Sequence, residues 1–266
     1  MTDFASVDLK LWRARQHLTE FEMVLSTYLQ TNPISLVAQP QTDSVREAFN
    51  IRMTAPLPDL LGLIYGDFVH NVRTGLDHLV MALALDNGAD PRDNSIQFPI
   101  CNEPDRFFGS PGGKSHVRPK VPPRGTGGNN VVALRPNAQS FVEALQPYNV
   151  GDGAWTLAEL QNLDNMDKHR NLIVGRIVPS IFMGFENGIE IEWASPVPDL
   201  KDGSYLATVI YPSGYNGAKV QPGLSAGIYV ERFNPPIGIL EAQPFGSNQL
   251  LPHVRGIVDE AKRLFP

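Results

Sequence analysis

Cysteine is nearly absent: the 266-residue chain has one, Cys101. A single thiol excludes an internal disulfide framework and paired C-x-x-C motifs, and it fits a reducing compartment. Cys101 itself fits a small core hydrophobe, since no His or Asn context adjoins it to make a nucleophile. Long apolar runs are lacking too, none approaching the roughly 18 residues that a membrane span needs. Residues 1–20 are polar and charged where a secretory leader would carry its apolar centre, so a cytoplasmic protein is expected. No G-x-G-x-x-G, Walker A, H-E-x-x-H or G-x-S-x-G motif occurs, which removes the commonest cofactor and hydrolase signatures. An internal repeat is also missing.

Positive charge is in deficit, with 22 Lys and Arg against 28 Asp and Glu, which argues against indiscriminate nucleic-acid binding. The average hides an asymmetry. Between Arg106 and Val142 stand Arg106, Lys114, Arg118, Lys120, Arg124 and Arg135, with no carboxylate among them. Apolar residues make up 42% and charged residues 19%, the balance of an ordinary globular protein.

Apolar residues at spacings of three and four predict a helix over 4–31, with Leu11, Ala14, Leu18, Phe21, Leu25 and Tyr28 on its inner face and His17 at the edge. Asn32-Pro33 ends it. Residues 33–58 lack a sustained period, and only a short strand over Ala48–Met53 is expected. A second helix over 60–85 is marked by Ile64, Phe68, Val72, Leu76, Leu79 and Leu83, with Asn87-Gly88 as its stop. Gly62 and Gly66, one turn apart, would admit the close approach of another backbone.

The Gly/Pro-rich stretch from Phe107 to Asn130 predicts no regular element; it is either a solvated loop, His116 included, or a basic flap over an anionic substrate. Short helices follow over 137–145 and 156–170. From Leu172 the pattern changes to β-branched and aromatic runs separated by turn residues: 172–178, 181–185, 189–193, 205–211 and 226–233. A closing helix is expected over 250–265. The fold class is therefore α+β: a helical region, 1–171, carrying the polar clusters, and an antiparallel β region with a C-terminal helix, 172–266, the two either separate or one continuous domain.

The helix over 60–85 is apolar enough to be buried, yet it carries Asp67, His70, Asn71, Arg73, Thr74, Asp77 and His78. Buried polar groups cost a few kcal/mol each unless paired, so these need partners elsewhere. His70 and Asp77 share a row with Arg73 between them, and Arg73 can pair with Asp77 at i,i+4. An imidazole, a guanidinium and carboxylates together suit acid/base work on an anionic group, and equally a satisfied structural network. The segment Asn162–Arg170 holds a second cluster, with Asp167, Lys168, His169 and Arg170 at its end. The expectation is that His169 or Asp167 reaches the Asp67/His70/Asp77 side, while Asn71, Lys168 or Arg170 contacts an anion. Lys, His and Arg there also suit the helix dipole without any function.

Two chemistries compete. Asp67-x-x-His70 has the i,i+3 carboxylate–imidazole spacing of helical metal sites, and with His169 it would hold one divalent ion for a metal-dependent hydrolase. Alternatively, Arg73-Thr74-Gly75-Leu76-Asp77-His78 is an Arg-x4-His arrangement that resembles the signature of HEPN-domain proteins. These are helical, often dimeric modules found as RNases, toxins and defence proteins. The resemblance implies RNA cleavage without metal, with Arg73 on the phosphate and His78 transferring a proton at the 2′-hydroxyl. A homodimer fits that resemblance; the basic loop 106–135, by its charge, is where RNA or another phosphate-bearing ligand is expected, and the short apolar runs predict no membrane partner. More broadly, Gly66–His78, Gln146–Tyr148 and Asp167–Arg170 look like the GDxxHNxRxxLDH, QPY and DKHR elements of an uncharacterised family of bacterial proteins. That likeness implies that the two polar clusters belong together and brings no activity with it.

Overall fold

The computed structural model describes residues 2–41, 45–109, 125–150, 155–169, 174–182, 188–194, 202–217, 220, 223–230, 237–238 and 249–266. For 155–156, 169, 174–182, 223–230 and 237–238 the description covers the backbone alone. The fold is α+β, and its two compact units interleave along the chain. One comprises Met1–Glu20, Leu63–Leu172 and Ala242–Pro266; the other comprises Phe21–Gly62 and Ile173–Glu241.

Two long helices, α1 (Ala5–Gln30) and α2 (Leu60–Leu85), each contribute to both units. In α1 the buried series is Val7, Leu11, Ala14, His17, Phe21, Leu25 and Tyr28, so His17 occupies the stripe itself and Leu18 is only half-buried. In α2 all six predicted apolar positions are buried. Gly88, at φ +86°, donates to the Leu85 carbonyl just past its end, where an L side chain would be strained. Within α2 the helix is also tightly packed at Gly75, where a Cβ would stand 2.9 Å from Leu11 Cδ2.

The helical unit continues with α3 (Pro104–Phe108), α4 (Gly127–Asn130), α5 (Pro136–Ala144), α6 (Pro147–Val150), α7 (Trp155–His169) and α8 (Leu250–Leu264). The Gly/Pro-rich stretch is thus regular at both ends, contrary to its composition. Pro104 stands at the start of α3, and the Thr126 side chain accepts from Asn129 N to cap α4. The intervening residues 110–124, with Lys114, His116, Arg118, Lys120 and Arg124, lie outside the described residues. α8 buries Leu250, Leu251, Val254, Ile257, Val258 and Ala261; Lys262 Nζ beyond them pairs with Asp8 Oδ1 at 2.6 Å.

The β unit differs from expectation at its N-terminal end. Residues 33–58 form a hairpin, β1 (Ile34–Pro40) with β2 (Arg46–Met53), and not one short strand. β1 is an edge strand with a largely exposed, aperiodic side-chain pattern, so it carries no alternation to detect. β2 alternates, burying Glu47, Phe49 and Ile51.

Downstream come β3 (Val174–Phe182), β4 (Glu190–Trp193), β5 (Tyr205–Ile210), β6 (Gly223–Val230) and β7 (Ile237–Gly238). They join in two antiparallel sheets, ordered β1-β2-β5-β4 and β3-β6-β7. The expected runs 172–178 and 181–185 meet in the single strand β3, which passes through Pro179 opposite Ala226. In the four-stranded sheet Phe49, Val209, Tyr211 and Val220 form the core, with Leu36, Ile189 and Ile191 against it. Buried Glu47 accepts from Tyr211 Oη at 2.9 Å, which satisfies a carboxylate on the inner face.

Candidate active site between two helices

α2 and α7 pass antiparallel within the helical unit, because His70 meets Asp164 one turn before Arg73 meets Gln161. Spacings of three and four on both helices stack their polar side chains into two adjacent levels. The segment folds this way because its remaining faces are apolar: Phe68, Val72, Leu76 and Leu79 on α2, with Leu157, Leu160 and Leu163 on α7, are all buried.

At the first level His70 Nδ1 lies 3.1 Å from Asp164 Oδ1, and Lys168 Nζ donates to Asp164 Oδ2 at 2.5 Å. The Asp164 side chain is 1% exposed and the His70 side chain 50% exposed, so a buried carboxylate orients an imidazole that still meets solvent. An ionised Asp164 only accepts, which makes Nδ1 the protonated nitrogen of neutral His70. The Thr74 hydroxyl stands 3.5 Å from His70 Nε2 but donates its proton to the His70 carbonyl at 2.8 Å. Among the described residues the Nε2 lone pair therefore stays free, and protonated Nε2 has an acceptor in the Thr74 hydroxyl. Asp167 is nearby: burial raises its carboxyl pKa, Asp67 and Asp164 add to the rise, and His70 and Lys168 oppose it. Asn71 turns its amide to the Asp67 carbonyl at 2.8 Å.

The second level is a clamp on the main chain. Arg73 donates through Nη1 to Asp77 Oδ1 at 2.7 Å and through Nη2 to the Phe98 carbonyl at 2.8 Å. Asp77 Oδ1 also accepts from Phe98 N at 2.9 Å, so one ion pair holds both polar groups of a buried residue's backbone. The third guanidinium contact, Nε to Gln161 Oε1 at 3.3 Å, ties the clamp to α7. Three residues further on, Cys101 N donates to Gln146 Oε1 at 2.9 Å, and Gln146 Nε2 donates to the Val142 carbonyl.

The pinned strip 98–101 walls an open cavity of about 580 Å³, bordered also by Arg73, Gln161, Asn165, Glu103, Arg106 and Asn130. Gly127 closes its floor, where a Cβ would come within 2.8 Å of Cys101 Sγ and 2.9 Å of Pro99 Cβ. Cys101 is buried and its thiol pKa is raised by that burial, in keeping with a packing role.

The predicted residues are therefore distributed unequally. His70, Lys168 and Asp167 share the first level and Arg73 and Asp77 the second, but His78 is elsewhere. It lines a separate hollow of about 270 Å³ with Asp3, Ser6, Asp77 and Met81, and burial, then Lys10, lowers its pKa. Arg73 and His78 thus face different spaces, as residues five apart on an unbroken helix must. The His169 side chain and all of Arg170 lie outside the described residues. So does any test of the Asp67/His70/His169 metal set. Among the described residues no group of three His, Cys, Asp or Glu side chains could hold a metal ion.

His17, in α1, is buried, with Nδ1 3.7 Å from Glu20 Oε2; desolvation, then Arg13, lowers its pKa against the opposing pull of Asp67 and Glu20. Asp164, Gln161 and Asn165 were not among the expected site residues. Asp164 with Lys168 has the same i,i+4 acid–base spacing as Arg73 with Asp77, a signal the sequence does carry.

Among the described residues no helix is long and apolar enough to cross a membrane. Comparison with family models, with curated proteins and with solved structures gives no match to this chain.

Proposed function

We propose that the polar face shared by α2 and α7 carries out metal-independent acid/base chemistry on RNA or another phosphate-bearing ligand, with His70 as the proton-transfer group. The supporting observation is the His70–Asp164 pair: a buried carboxylate 3.1 Å from Nδ1, with the rest of the ring half-exposed. Such a carboxylate fixes tautomer and ring orientation and stabilises the imidazolium once formed. Nε2 would take the proton from an attacking hydroxyl and return it to the leaving oxygen. Both oxygens of Asp164 already face N–H donors, His70 and Lys168, so this carboxylate serves the imidazole.

This assignment keeps the kind of chemistry that the HEPN resemblance implies and moves its proton carrier from His78 to His70. Arg73 becomes a positioning residue, because Asp77, Gln161 and the Phe98 carbonyl engage its guanidinium. A purely structural network would have no reason to leave the His70 ring half in solvent, which favours the enzymatic reading over the non-enzymatic one.

The test is cleavage of an RNA panel by the full chain with and without EDTA. Activity should persist in EDTA, fall by about 100-fold or more in His70→Gln, and change only a few-fold in His78→Ala. Loss in EDTA restored by a divalent ion would favour the metal-dependent hydrolase. An unchanged rate in His70→Gln would end the proposal.

A further inference from the structure

The cavity beside Arg73 has an ordered donor wall whose polarity follows from three hydrogen bonds. Asp77 holds Nη1 of Arg73, which turns Nε to Gln161 Oε1 at 3.3 Å. With its oxygen so engaged, Gln161 presents Nε2, which donates to Asn165 Oδ1 at 3.1 Å. The Asn165 oxygen is thereby taken, and its amide nitrogen is left with two N–H groups and no partner among the described residues. Also lining the space, from α3 and the residue before it, are Arg106 and Glu103, neither in an ion pair among the described residues. The space thus presents amide donors from α7, and a guanidinium and a carboxylate acceptor from the α3 segment. Its volume of about 580 Å³ lies within the range of small-molecule sites.

We infer that this cavity binds the base of a nucleotide, and guanine in preference to the other bases. Guanine carries adjacent acceptors, O6 and N7, for Asn165 and Arg106, and beside them the N1–H and N2–H donors that a carboxylate such as Glu103 accepts. Adenine offers the carboxylate one exocyclic amine and no N1–H, and the pyrimidines lack the acceptor pair on a second ring. Carboxamides oriented by Arg73 are unnecessary for a bare phosphate, which any cluster of cations would hold. The inference rests on the phosphate-bearing ligand proposed above and adds the base that accompanies the phosphate.

The experiment is titration calorimetry of the full chain with GMP, AMP, CMP, UMP and ribose 5-phosphate. GMP should bind at least about tenfold more tightly than ribose 5-phosphate and than the other nucleotides. Asn165→Leu, on an exposed position, should remove about tenfold of GMP affinity and leave ribose 5-phosphate unchanged, and Glu103→Gln should erase the preference for GMP over AMP. Calorimetry reads binding and the RNA assay reads cleavage, so failure of the pocket and failure of the chemistry are separable. GMP binding without His70-dependent cleavage leaves the pocket standing alone. Equal affinity for GMP and ribose 5-phosphate, or GMP binding indifferent to Asn165→Leu, overturns the inference.

Discussion

Glu159 gives the sharpest quantitative prediction. It sits in α7 with 8% of its surface exposed, and burial pushes its carboxyl up from the usual 4.5 to about 7. The folded protein then holds a proton that the unfolded chain releases between pH 4.5 and 7. Proton binding is greater in the folded state across that window, so stability falls as pH rises through it and levels off above pH 7. A displacement of that size corresponds to about 3 kcal/mol. Glu159→Gln replaces the protonated carboxyl by a neutral group of the same shape. The variant should match the parent at pH 4.5 and exceed it by about 3 kcal/mol at pH 8. Urea unfolding at both pH values measures this, and using the difference between the two proteins cancels the opposite contribution of His17, His78 and His253, whose pKa values are lowered by burial. An equal difference between parent and variant at the two pH values would refute the reasoning.

Two further predictions concern the cavity wall. Gln146→Leu strands the buried Cys101 N–H and the Val142 carbonyl, so it should cost about 2–3 kcal/mol in denaturant unfolding and speed native-state alkylation of Cys101. Gly127→Ala should cost about 1–3 kcal/mol, because its Cβ would meet Cys101 Sγ and Pro99 Cβ below contact distance. Gly256→Ala in α8, with nothing within 4 Å of the new Cβ, should instead stabilise the protein by about 1 kcal/mol from helix propensity. Thermal melts of the two glycine variants side by side would expose an error in either sign.

Legibility of the fold followed the strength of the local signal. α2 was readable to its ends because six apolar residues keep one period and Asn87-Gly88 closes it. β1 was not, since an edge strand with exposed side chains leaves no alternation in the sequence. The pairing of Arg46–Asn50 with Tyr205–Ile210 joins residues about 160 apart, and nothing local announces such a partner. Pro179 looked like a break between two strands because proline cannot donate to a ladder, yet β3 runs through it.

At the candidate site the pattern was similar. Arg73–Asp77 was visible as an i,i+4 pair on one helix, whereas the Phe98 backbone that this pair clamps is a tertiary partner with no sequence signature. His70 was recognisable as an imidazole needing a partner, but only the packing of α2 against α7 selects Asp164 over Asp167, the other acid of the second cluster.

The proposal depends on Asp164 holding His70 with Nδ1 protonated and Nε2 open. Nitrogen-15 NMR of the imidazole reads this without any substrate, at a pH where His70 is neutral. The Nδ1–H tautomer should predominate in the parent and give way to the Nε2–H form in Asp164→Asn. A parent already in the Nε2–H form, or a tautomer indifferent to Asp164→Asn, would contradict the assignment of His70 as the proton carrier.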